Sequence, residues 1–174
     1  MKLKKYSFKK VKSTNDIAIK LVKSGVKKGI IISEQQTKGR GQRGNKWISN
    51  RGNLFLTVFF KISKKISIKK ITRINIMIIQ KIISKLVNIN ASIKLPNDIL
   101  INKKKICGIL QETIQKNKKR YLIVGIGLNL IKSPKIKDYP TTNLYELTKR
   151  KISVNRISKE LIFIYEKFLK TKNI

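Results

Sequence analysis

Histidine is missing altogether from this chain, and cysteine occurs once, as Cys107. Without histidine, neither a Ser-His-Asp triad nor a histidine-ligated metal can be built from these residues. One cysteine excludes an intrachain disulfide and every multi-cysteine zinc site. In its apolar, strand-like run Cys107 reads as packing rather than as a reactive thiol. No apolar run reaches the roughly eighteen residues that a membrane-spanning helix needs. The basic stretch from Met1 to Lys10 is not followed by the apolar core of a signal peptide. A cytoplasmic protein is the expectation, and its chemistry must come from lysine, arginine, a few carboxylates, backbone amides or an oxygen-seeking ion such as Mg²⁺.

Acids are scarce as well: eight Asp and Glu stand against 42 Lys and Arg, a formal charge of +34. Such a balance can announce a nucleic-acid binder, since lysines that neutralise phosphates release counterions. Here the lysines run along the whole chain instead of gathering in a block, and arginine, the better base-reading residue, is far rarer. A solvated lysine surface accounts for the charge, with steering of an anionic partner as the rival explanation. Hydrophobic residues make up 41% of the chain, enough for a globular core.

Ser13-Thr14-Asn15-Asp16 opens a helix that carries Ile17, Ala18, Leu21 and Val22 at helical spacing and stops at Gly25. Strands are predicted over Gly29–Ser33, Leu54–Phe60, Ala91–Leu95, Ile99–Ile101, a run through Glu112, and Tyr121–Leu130. Asn102-Lys103-Lys104 turns one hairpin. Residues 36–53 form a long irregular loop, and 131–152 a second irregular stretch. Amphipathic spacing predicts helices over 68–88 and from Val154 to Phe168. Along the last strand, Leu122, Val124, Ile126, Leu128 and Leu130 share one face. Gly125, Gly127 and Asn129 on the other face leave room for something to approach the sheet. One domain over 1–174 is expected, of the α+β class, with helices packed on a mixed, largely antiparallel sheet.

The densest signal is Gly39-Arg40-Gly41-Gln42-Arg43-Gly44-Asn45-Lys46-Trp47. Glycines let backbone amides face an anion at close range, while the cations add charge. The three glycines satisfy a dinucleotide G-x-G-x-x-G pattern, but no helix follows and no acid lies about twenty residues on. A phosphate P-loop fails because Asn45 stands where lysine should follow the last glycine.

The string Gln36-Thr37-Lys38-Gly39-Arg40-Gly41, with Gly44 and Trp47, resembles the biotin-binding loop of biotin protein ligases. Four further stretches agree with that family in order and spacing: Ser13-Thr14-Asn15, Lys94-Leu95-Pro96-Asn97-Asp98, Lys105 with Gly108-Ile109-Leu110 and Glu112, and Gly125-Ile126-Gly127-Leu128-Asn129. The resemblance covers about residues 10–145. It implies a class II aminoacyl-tRNA-synthetase-like catalytic domain that forms biotinyl-5'-AMP from biotin and ATP with Mg²⁺. The biotin would then pass to a lysine of the biotin carboxyl carrier protein of acetyl-CoA carboxylase.

By the same resemblance, Arg40 and Lys105 are catalytic cations, and Asp98 holds Mg²⁺ or orients the acceptor lysine. Biotin is bound by Ser13, Thr14, Asn15, Gln36, Gly39, Arg40, Gly41, Lys105 and Gly108; the nucleotide by Arg43, Trp47, Lys94, Asn97 and Asn129. Each residue has a plainer reading: Ser13 and Thr14 as helix caps, Trp47 as a loop anchor, Asn129 as a turn former, and Arg40 and Lys105 as solvated charges.

Gln42 departs from a third loop arginine frequent in the family, which implies looser retention of the adenylate, and Leu95 replaces a tryptophan. Neither an amino-terminal DNA-binding domain nor a carboxy-terminal β-barrel is expected. The expected partners include no specific nucleic acid and no membrane, and the protein is expected as a monomer or weak homodimer. Rival functions are a lipoate or octanoyl ligase, a biotin-binding module with weak transfer, and a basic nucleic-acid-binding domain.

Overall fold

The computed structural model describes residues 2–171. Its framework is one sheet of seven strands: β1 (Lys5–Phe8), β2 (Lys28–Ser33), β3 (Leu54–Ile62), β4 (Ser92–Lys94), β5 (Asp98–Ile101), β6 (Lys104–Lys116) and β7 (Lys119–Leu128). They lie in the order β1-β2-β3-β7-β6-β5-β4. Only the β1–β2 pair is parallel; the others are antiparallel. The helices are α1 (Thr14–Lys23), α2 (Ile68–Val87), α3 (Leu144–Thr148) and α4 (Val154–Thr171). The expected mixed, mostly antiparallel sheet with packed helices is what the chain forms. Among the described residues no helix is long and apolar enough to cross a membrane.

Alternation along the central strands sorts the core into two faces. Leu122, Val124, Ile126 and Leu128 join the larger cluster beneath α2 and α4, with Ile71, Ile79, Ile83, Ile157, Leu161 and Tyr165 fully or nearly buried there. Burying each such side chain contributes about 1.5–3 kcal/mol. Tyr121 and Ile123 point the other way and pack with Ala18 and Val22 of α1, Ile31 and Phe59. The small helix α1 covers only part of that second face, and the glycine-bearing ends of β6 and β7 lie beyond it.

Some boundaries differ from expectation. The β6 strand continues past Glu112 to Lys116, and turns at Asn102-Lys103 and Asn117-Lys118 close the two hairpins around it. All four turn residues have positive φ, the mirror-image geometry that suits the twist of paired strands, with lysine in the place glycine often takes. The irregular stretch 131–152 contains the one-turn helix α3, capped by the Asn143 side chain accepting from the Glu146 N–H at 2.9 Å.

Candidate active site

Strand register brings distant parts of the sequence into one row. Lys94 pairs with Asp98, Asp98 with Gly108, and Gly108 with Gly127. Four residues spread over 34 positions of chain thus cross the sheet side by side. At Gly108 and Gly127 the sheet presents bare backbone, and the indole of Trp47 lies on both; a Cβ at either would overlap its ring. A Cβ at Gly125 would likewise collide with the Asn15 amide. The approach to the sheet expected from the glycine alternation is therefore made by Asn15 and Trp47.

Lys105 reaches the same face through a defect. The β5–β6 register shifts by one residue, so Ile99 pairs with Cys107 while Leu100 pairs with Lys105, leaving Ile106 unopposed. Both Ile106 and Cys107 sink into the larger core. That irregularity breaks strict alternation and lets Lys105 emerge beside Gly108, both lining the same cavity. The Lys105 ammonium lies 2.9 Å from Asp98 Oδ1, with the two side chains only 15% and 21% exposed. The contact is close but poorly aimed, for Asp98 Oδ1 has no partner of hydrogen-bond geometry. The rings of Trp47 and Tyr139 flank the ammonium at 5.6 and 5.0 Å from their centroids. Burial beside Asp98 pushes the neighbouring Cys107 thiol far above its ordinary pKa, which keeps it neutral.

The 36–53 loop is more ordered than its composition suggests. Its root is zipped to the segment before α1 by Thr37 N–H to Val11 O (2.9 Å) and Lys38 N–H to Lys12 O (2.8 Å). It then folds back on itself, with Gly41 N–H to Asn45 O at 2.7 Å and Trp47 N–H to Gly39 O at 2.9 Å. Left-handed Arg43 (φ 54) and Gly44 (φ 79) reverse the chain at the tip. Gly39 is where the Trp47 carbonyl passes too close for any Cβ.

Arg40 leaves this loop toward two carboxylates. Its Nη1 and Nη2 donate to Glu112 Oε1 and Oε2 at 2.9 and 2.8 Å, a bidentate fork, and Nη2 lies 3.0 Å from Asp16 Oδ1. Asn15 Nδ2 donates to Glu112 at 2.7 Å, and Asn15 Oδ1 accepts from the buried Thr57 hydroxyl, also at 2.7 Å. Partial burial works against the guanidinium charge, but the hydrogen bond and charge of Glu112, then Asp16, prevail and raise its pKa.

These parts enclose a cavity of about 360 Å³. Ser13, Thr14, Asn15, Gln36, Arg40, Gly41, Arg43, Trp47, Lys94, Asn97, Asp98, Lys105 and Gly108 all line it, so nearly every expected site residue converges there. Gly39, within the loop, is buried against the Trp47 carbonyl and does not line the cavity. Asn129 is placed apart: buried, it donates to Thr142 O at 3.1 Å and meets Asn53, a tether for the chain after β7. Ser13 starts α1 without a side-chain cap bond. Thr14 instead spends both its N–H and its hydroxyl on Gln36 Oε1, at 2.9 and 3.0 Å.

Asp16, Thr57 and Tyr139 carried no motif and were missed. For Asp16 the one available signal was its place a single helical residue after Asn15. The Asp98 carboxylate faces Lys105, and among the described residues no three His, Cys, Asp or Glu converge, so the protein alone builds no metal cage there. The indole N–H of Trp47 is buried without a hydrogen-bond partner. An orphaned donor costs about 1–3 kcal/mol, and here it borders a cavity where a ligand acceptor can relieve it.

Comparison with known proteins gives a consistent picture. The profile of the Biotin/lipoate A/B protein ligase family matches residues 6–129. The bifunctional ligase/repressor BirA of Bacillus subtilis is 29% identical over 167 residues, which cover 89% of this chain and 50% of that protein. The biotin–[acetyl-CoA-carboxylase] ligase of Mycobacterium tuberculosis is 26% identical over 140 residues, 76% of this chain and 51% of that one. The chain thus spans about half the length of these curated relatives. The structure of the Aquifex aeolicus biotin protein ligase in complex with biotin and ATP superposes with a TM-score of 0.78 at 27% identity, over 96% of this chain and 70% of that one.

Proposed function

This chain belongs to the biotin/lipoate A/B protein ligase family, and from that premise we propose that it joins biotin to a lysine of a biotin carboxyl carrier protein through biotinyl-5'-AMP. The observation that carries the reading is the convergence of Arg40, Lys105, Lys94 and Arg43 on one glycine-floored cavity.

The first step brings two anions together. A biotin carboxylate oxygen attacks the α-phosphorus of ATP, the bond to the β-phosphate bridging oxygen breaks, and pyrophosphate leaves. Preorganised cations lower the cost of that encounter most where water is excluded, which favours Lys105 as the main stabiliser of the developing charge. Phosphate groups have Arg43 and Lys94 at the cavity wall. Mg²⁺ enters only as the nucleotide's own counter-ion.

Biotin's neutral ureido ring asks for a few fixed donors and acceptors in an otherwise apolar slot. Ser13, Thr14 and Gln36 supply these, and the Trp47 indole seated on Gly108 and Gly127 supplies an apolar wall. In the second step the acceptor lysine, as a free amine, attacks the acyl carbon and AMP departs. Asp98, at the cavity rim, takes the ammonium proton or orients the amine.

Purified protein given biotin, ATP and a biotin carboxyl carrier domain is expected to label that domain with biotin. Biotin alone should support exchange of labelled pyrophosphate into ATP. Exchange with lipoate or octanoate but not with biotin would replace this reading with the acyl-ligase one, and no exchange with any of the three would end it.

A further inference from the structure

A second cavity, of about 560 Å³, shares no lining residue with the first. Its place follows from the topology. β1 and β2 are the parallel pair, so their last residues, Phe8 and Ser33, lie side by side. Antiparallel β3 begins next to them, just after Asn53, and the amino end of α4 closes the space through Val154, Asn155 and Ser158. Ile32 in its wall belongs to the larger core beneath α2 and α4. The first cavity opens on the other face, where Asn15 meets Gly125.

Three observations converge on this second cavity. Lys5, Lys9 and Arg51 are exposed along it against one carboxylate, Glu34. Among the described residues none of these four has an ion-pair partner. That positive excess suits a dianion.

The helix adds to the charge. In the first turn of α4 the N–H groups of Arg156 and Ile157 are spent on Ser153, at 3.2 and 3.3 Å. Those of Val154 and Asn155 precede the first helical bond, at the positive end of the helix dipole. Ser158 follows Val154 by four residues and so stands on the same face of α4. It is 1% exposed, and its hydroxyl finds no partner among the described residues. A helical serine can return its proton to the carbonyl four residues back, but this one does not.

We propose that this cavity is a second ligand site, which takes a small phosphate monoester with an apolar body. The cations and the helix end hold the phosphate, and Phe8, Ile32 and Val154 receive the body. At the back wall the Ser158 hydroxyl donates to the deepest polar atom of the ligand. The volume lies within the range usual for small-molecule sites. Nothing here depends on the ligase reading, since the two cavities have no residue in common.

Residue-resolved NMR titration at constant ionic strength, with phenyl phosphate and inorganic phosphate as probes, tests the site. Phenyl phosphate is expected to give saturable shifts at the amides of Lys9, Arg51, Val154, Asn155 and Ser158. It should bind at least about fivefold more tightly than inorganic phosphate, because its ring gains burial. Arg51→Gln and Ser158→Ala are each expected to weaken binding at least about threefold, through loss of one charge or one hydrogen bond. Arg51 is exposed and alanine is the best helix former, so both variants should keep the dispersed spectrum of the parent. Absence of saturable shifts at these five amides, or shifts confined to Gly108 and Gly127, overturns the proposal. Equal affinity for the two probes, or unchanged affinity in either folded variant, overturns it as well.

Discussion

Arg40 and Lys105 bring the same charge to one cavity by opposite means. Arg40 rides on a loop, is 38% exposed and leans on two carboxylates from separate elements. Lys105 rises from a long central strand, is 15% exposed, and stands between two aromatic rings with one carboxylate opposite. Solvent-exposed pairs are typically worth about 0–1 kcal/mol, so the Arg40 contacts suit a part that can open and close. Screening is weaker around Lys105, where the same charge acts more strongly on whatever binds. The loop corner supplies access, and the strand corner supplies field.

The deepest cut into that contrast is removal of Lys105. Lys105→Ala is expected to slow adenylate formation about 100- to 1000-fold, the loss usual for a preorganised electrostatic donor, while Arg40→Ala costs markedly less in kcat. Single-turnover pyrophosphate release compares them, and equal losses would erase the distinction. Next comes Asp98→Ala, expected to lower biotin transfer at least tenfold more than it lowers biotin affinity; matched losses in both assays refute a transfer role.

Gly127→Val attacks the ground between the corners, since it would unseat Trp47 from the sheet. Overpacking of this kind costs about 1–3 kcal/mol, and biotin affinity by calorimetry should fall by roughly ten- to a hundredfold. Gln42→Arg adds a cation beside the loop corner and is expected to slow adenylate leakage a few-fold, read by release of labelled adenylate from a loaded protein. The smallest effect belongs to Cys107. With its thiol kept neutral by burial, it should not react with a thiol-specific dye at pH 7.5 until denaturant is added. Prompt labelling would mean that the Lys105 corner is not closed.

The sequence made α1, α2, α4, most strands and the glycine face of β7 legible because each follows from spacing alone, whereas the one-turn α3 is too short to show a period. Motifs also delivered most of the cavity wall, from Ser13 to Gly108. What stayed hidden depends on register. That Ile106 stands unopposed in β6, turning Lys105 onto the ligand face, has no marker in a run of Lys, Ile and Cys. Nor could spacing say that Asp16 and Glu112, 96 residues apart, would both pair with Arg40, because the packing of α1 against Gly125 brings their elements together. Asn129 looked like a nucleotide contact by motif, yet the structure uses it with Asn53 to tie down the chain after β7. Asn53 Oδ1 accepts from the N–H groups of Leu130, Ile131 and Lys132 at 3.0–3.2 Å, so that region is fixed from the far side.

The position of Trp47 has a practical consequence. It is the chain's one tryptophan, its indole rests on two glycines near an ammonium group, and its N–H awaits an acceptor. Ultraviolet emission excited at the red edge, where its five tyrosines do not absorb, therefore originates at the cavity itself. A shift in its colour or brightness on titration reports occupancy of the site optically, with no dye attached and no second indole to dilute the signal.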